Sequence, residues 1–70
     1  MPEAAANRVK VARVACDLTQ AELADRVGVT RQTIGLIEGG RYNPTLSLCL
    51  RIAGVTGRTL DELFWPEGED

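Results

Sequence analysis

Apolar positions in this chain recur at intervals of three and four, the period of one face of a helix. Leu23, Ala24 and Val27 form one such group, and Ile34 and Ile37 a second. Upstream, Val9, Ala12 and Cys16 share a face that Val11 and Val14 widen. Downstream come Leu46, Leu48, Cys49, Ile52, Ala53 and Val55, then Leu60, Leu63 and Phe64. The pattern predicts five helices and offers no strand.

Polar residues and glycines mark the ends of these runs. Thr19 and Glu22 stand at capping-box spacing, and Thr59 and Glu62 repeat it. Thr30 and Thr45 are placed to cap the third and fourth helices. Leu18 with Leu23, and Val29 with Ile34, have the spacing of hydrophobic staples. Gly28 and Gly57 suit the left-handed conformation that closes a helix. Gly39 and Gly40 end the third helix, and Pro44 keeps the residue before it out of helix. The first helix is expected from Ala4 or Ala5 to about Cys16. One domain is expected over residues 7–66, with residues 1–6 frayed and residues 67–70 a mobile acidic tail.

The stretch from Thr19 to Gly39 organises the rest. Two helices crossing steeply over a short turn must approach closely. Such a crossing favours a small residue on the first helix, here Ala24, and a glycine in the turn, here Gly28. It also needs buried aliphatics at fixed offsets, supplied by Leu23, Val29, Ile34 and Ile37. This is a helix-turn-helix layout, in which the second helix can enter a DNA major groove.

Composition adds constraints. The chain has 70 residues, enough for one small domain, and is 44% apolar with few aromatics, so its core should be aliphatic. No apolar run reaches the roughly 18 residues of a membrane span, and no basic-then-apolar signal opens the sequence. A cytoplasmic protein with no membrane association is expected. Cys16 and Cys49 have neither zinc-site nor C-x-x-C spacing, and read as reduced core cysteines. No metal site or cofactor is expected. An enzyme is disfavoured: histidine is absent, no glycine-rich phosphate loop follows a strand, and no clustered carboxylates fall in a plausible cleft.

The formal net charge of −2 runs against the basic character of a nucleic-acid binder. Its distribution changes the picture. Residues 61–70 hold five acids and no base, leaving five acids and eight bases, a balance of +3, in residues 1–60. Between Arg26 and Arg51 there are four arginines and one glutamate. Arg8 and Lys10 on the first helix can reach phosphates or serve as solvated charges.

Taken together, several motifs resemble the Cro/cI-type (XRE-like) helix-turn-helix family of phage repressors and small bacterial regulators. They are N-R-V-K-x-x-R at 7–13, L-T-Q-A-E-L-A at 18–24, V-G-V-T-R-Q-T-I at 27–34, I-E-G-G-R-Y-N-P at 37–44, L-x-L-C-L-R-I-A at 46–53 and T-L-D-E-L-F at 59–64. The resemblance implies an all-α, compact five-helix repressor-like domain that reads double-stranded DNA with its third helix, residues 30–38. It points Arg31, Gln32 and Thr33 at base edges. Leu36, on the same outward side, suits a thymine methyl. It gives Gln20 a phosphate contact and a role in bracing the third helix. Phosphates are also expected at Thr30, Arg41, Tyr42 and Asn43, although Tyr42 can equally cover the core edge. Arg13 and Glu38 match a pair that joins the first helix to the end of the third.

Four positions depart from the family pattern. Cys16 replaces a polar residue, Asp17 a common glycine, Thr56 an aliphatic and Arg58 a valine or isoleucine. The last two obscure the junction of the fourth and fifth helices. Leu60, Phe64 and Trp65 are candidates for a homodimer contact, with core packing as the alternative for each. Two functions are expected. The first is a sequence-specific transcriptional regulator, a repressor acting as a dimer on a palindromic site. The second is an antitoxin-like or adaptor module whose acidic tail binds an unknown protein partner, with DNA secondary. Gly35, unusual inside a helix, is read as letting the third helix approach the groove, or as a tolerated surface glycine.

Overall fold

The computed structural model describes residues 7–64. They form α1 (Val9–Ala15), α2 (Gln20–Val27), α3 (Arg31–Glu38), α4 (Leu46–Thr56) and α5 (Leu60–Phe64). There is no strand among the described residues. The core is wholly aliphatic: Val9, Ala12, Leu18, Leu23, Ala24, Val27, Ile34, Ile37, Leu48, Ile52 and Leu63. Every helix contributes to it. α2 packs on α3 and α4, and α1 and α5 close the remaining sides.

The caps form as the sequence predicts. Thr19 Oγ1 accepts from Glu22 N–H, and the Glu22 carboxylate accepts from Thr19 N–H at 2.8 Å. Thr59 and Glu62 repeat this reciprocal box at the start of α5. Thr30 and Thr45 cap α3 and α4 through the N–H groups of Thr33 and Leu48. Gly28 closes α2 at φ 81°. A side chain there would be strained, and its Cβ would also lie 3.3 Å from the Arg51 guanidinium. That guanidinium donates to Val27 O at 2.8 Å, so α4 ties down the end of α2.

Three expectations need correction. α1 starts at Val9, later than Ala4 or Ala5. Asn7 and Arg8 are outside the helix because they are tied elsewhere. Asn7 Oδ1 accepts from Val9 N–H, its Nδ2 donates to Ile37 O at 2.7 Å, and Arg8 N–H donates to Leu63 O at 2.7 Å. The proposed frayed start at 1–6, Trp65 and the tail at 67–70 lie outside the described residues. Val11 and Val14 do not widen the inner face: they are 60% and 56% exposed. Seven residues of helix turn only Val9, Ala12 and Arg13 inward. Neither cysteine is a core residue. Cys16 falls beyond the end of α1 and is exposed, with Sγ donating to Thr56 O at 3.5 Å; Cys49 is half-buried. Both are free thiols.

The junction of α4 and α5 is ordered. Thr56 is buried, and its hydroxyl donates to Ile52 O at 2.8 Å, so a polar residue fits a core position without an unpaired group. Gly57, left-handed at φ 72°, then reverses the chain into the Thr59 cap. Asp17 adopts φ 64°, a conformation that explains why glycine is the family's choice there.

Candidate nucleic-acid interface

α3 is held from beneath and open from above. Ile34 and Ile37 are fully buried, and Val29 packs against the core at the preceding staple position. Arg31 and Gln32 are exposed, Thr33 and Gly35 half-buried, and Leu36 39% exposed. Of the four side chains expected at base edges, Arg31, Gln32 and Leu36 are thus accessible, and Thr33 flanks them half-buried. A burial of Arg31 and Gln32 by the chain itself would have left only a helical scaffold; they are not buried.

The flanking positions are also accessible. Thr30 precedes α3, and its hydroxyl lies 3.0 Å from that of Thr33. Arg41, Tyr42 and Asn43 are exposed in the loop after α3, and Arg41 N–H donates to Leu36 O at 2.9 Å. Tyr42 is 44% exposed and is absent from the core. α3 has no acidic residue in its first turn, which leaves the positive end of its dipole unopposed there.

Arg13 and Glu38 meet as the family pattern implies. Arg13 Nε donates to Glu38 Oε2 at 2.7 Å and Nη2 to Oε1 at 3.3 Å. The two side chains are 11% and 5% exposed. Arg13 Nη1 also donates to Leu18 O at 2.8 Å, which anchors the pair to the entry of α2. Gln20 lies between this pair and the reading helix. Its Nε2 donates to Glu38 Oε1 at 3.0 Å, and its Oε1 accepts from Arg31 Nη1 at 3.1 Å. The four side chains form one chain of bonds. The resemblance implies the Arg13–Glu38 pair and a Gln20 brace on the third helix; the Gln20–Glu38 bond that joins the two, between residues 18 positions apart, was not legible in the sequence.

Two other features escaped sequence reasoning. Asn7 caps the last turn of α3, a role hidden by its place before α1. Leu46 and Leu50 are 66% and 54% exposed, one turn apart on the outer side of α4. The signal was available: in eleven residues α4 has one charge, Arg51, and so is apolar on both faces. The expected dimer residues Leu60 and Phe64 are half-buried, and Phe64 packs against the core. Among the described residues no cluster suited to a metal ion occurs, and no helix is long and apolar enough to cross a membrane.

A capped, aliphatic-backed helix with Arg31 and Gln32 outward, joined to its neighbour by a glycine turn, defines a helix-turn-helix module. The chain belongs to the Helix-turn-helix family, whose model matches residues 9–63. It is 46% identical over 58 residues to an uncharacterized HTH-type transcriptional regulator of Archaeoglobus fulgidus, covering 83% of this chain and 82% of that protein. It is 40% identical over 51 residues to the immunity repressor protein of Bacillus phage phi105, covering 73% of this chain and 35% of the repressor. Its fold is similar to that of the restriction-modification controller protein C.AhdI of Aeromonas hydrophila. That similarity has a TM-score of 0.74 and 33% identity, over 81% of this chain and 83% of the controller.

Proposed function

We propose that this protein is a sequence-specific transcriptional repressor that binds a palindromic DNA site as a homodimer. As a helix-turn-helix family member related to an immunity repressor and a restriction-modification controller, it is a DNA-binding transcriptional regulator. The observation that carries the finer reading is the outward side of α3, with Arg31 and Gln32 exposed on a buried aliphatic footing.

Arg31 donates two hydrogen bonds to guanine O6 and N7, and Gln32 pairs with adenine N6 and N7. Leu36 meets a thymine methyl, and Thr33 bonds a neighbouring base edge. Gln20, Thr30, Arg41, Tyr42 and Asn43 bond phosphates, which set register without reading sequence. One such domain reads few base pairs. Two copies place their reading helices about 34 Å apart, one turn of DNA. The outer side of α4 supports the pairing. A two-fold interface sets a patch against its own copy, and Leu46 and Leu50 bring no charge to repel its twin.

The test is selection of random duplexes by the purified protein, followed by titration of the selected site and a random duplex across salt concentrations. The expected outcome is a symmetric pair of half-sites and a steep fall of affinity with salt, about 0.9 in log–log slope per phosphate neutralised. No enriched site and a flat salt response would reject the regulator reading and favour the adaptor.

A further inference from the structure

We propose that Glu38 sets the base selectivity of Arg31 by fixing which way the Gln20 amide faces, an inference that rests on the reading of α3 given above. Glu38 is the last residue of α3 and Arg31 the first, about 10 Å apart along the axis at 1.5 Å per residue. The two are connected through a neighbouring helix.

The bonding chemistry leaves one arrangement. An ionised carboxylate only accepts hydrogen bonds. Glu38 therefore demands the nitrogen of the Gln20 amide, and Gln20 Nε2 lies 3.0 Å from Glu38 Oε1. The amide oxygen is thereby turned to the other side, where Arg31 Nη1 donates to it at 3.1 Å. A reversed amide would set its NH2 against the guanidinium, donor against donor. The carboxylate cannot drift, because Arg13 grips it with Nε and Nη2 and is itself held by Leu18 O. The base of the relay is Arg13, only 9% exposed; its tip is the exposed Arg31. The amide passes beside Gly35, 3.9 Å from where a Cβ would stand.

The result is an arginine aimed before DNA arrives. One Nη1 N–H is engaged by Gln20, and the Nε and Nη2 N–H groups form the edge presented to guanine N7 and O6. A held guanidinium loses less freedom on binding. It also resists bending toward a phosphate or another base, which is what discriminates.

Glu38→Gln tests the relay by exchanging one carboxylate oxygen for an NH2 at unchanged shape. A glutamine at 38 has one acceptor oxygen, and the Arg13 guanidinium claims it. Its NH2 then faces Gln20, whose amide must reverse to accept, and a donor confronts Arg31. Selectivity is read as relative affinity for four duplexes that differ at the base pair assigned to Arg31. The expected result is about a tenfold loss of the guanine preference, within the range one arginine–guanine pair supplies. Affinity for random duplex should stay within about twofold, since phosphate contacts dominate it.

The exchange variant Gln20→Glu/Glu38→Gln restores an acceptor facing Arg31 and should recover the preference, even if overall affinity falls. Circular dichroism at the assay temperature verifies folding. Should Glu38→Gln not fold, Gln20→Met, which keeps the Arg13–Glu38 pair, must show the same loss of preference. Parental preference retained in Glu38→Gln and Gln20→Met overturns the relay alone. A parent with no preference at any position overturns the reading of α3 together with it.

Discussion

Removing the Glu38 carboxylate altogether is the sharpest probe of what holds α1 to α3. In Glu38→Ala, Arg13 Nε and Nη2 lose their acceptors, and Gln20 Nε2 loses its own. The arginine is 9% exposed, so water reaches it poorly. Breaking a buried pair costs about 3–5 kcal/mol because the surviving charge is stranded. Two features place this site at the low end. Arg13 keeps its bond to Leu18 O, and loss of an acid at the C-terminal end of α3 relieves an unfavourable dipole interaction of about 0.3–1 kcal/mol. A net loss of about 2 kcal/mol remains. For a domain of this size each kcal/mol moves Tm by about 4–8 °C, so a fall of about 8–16 °C is expected in thermal denaturation followed by circular dichroism. A fall below about 4 °C would refute the argument, since it would mean that the stranded guanidinium finds water or a new acceptor without cost. The double variant Arg13→Met/Glu38→Leu removes both charges and should be more stable than Glu38→Ala.

Three further outcomes follow from the geometry. Gly35→Ala should stabilise α3 by up to about 1 kcal/mol, because the new Cβ meets only the Gln20 amide at an ordinary contact distance; undiminished DNA affinity in that variant would show that the missing side chain is not needed for groove approach. Arg51→Ala should cost about 1–2 kcal/mol in denaturant unfolding by uncapping Val27 O, whereas Ser47→Ala, which loses only a 3.4 Å contact, should cost far less. The Glu22 carboxyl is held below its ordinary value, first by the Thr19 backbone N–H and then by the Thr19 hydroxyl. Its contribution to stability is therefore full above the ordinary carboxylate range and lost as pH falls through the lowered value; Glu22→Gln should flatten the acid limb of a Tm-versus-pH curve.

Local chemistry carried much of this protein in its sequence. The caps at Thr19, Thr30, Thr45 and Thr59 each bond a group three residues away, and Gly28 and Gly57 act through their own φ, so short windows suffice to find them. The buried faces of α2 and α3 follow from helical period alone, and so does the outward side of the reading helix. Tertiary structure decided what depends on distant partners. α1 begins at Val9 because Asn7 and Arg8 are claimed by Ile37 and Leu63, residues 30 and more positions away. Val11 and Val14 are apolar at helical spacing yet exposed, since period shows which residues share a face but not how wide a face the neighbouring helices cover. The Gln20 bridge exists because the crossing of α2 and α3 lays Gln20 between Arg31 and Glu38, and helical period alone does not show that meeting.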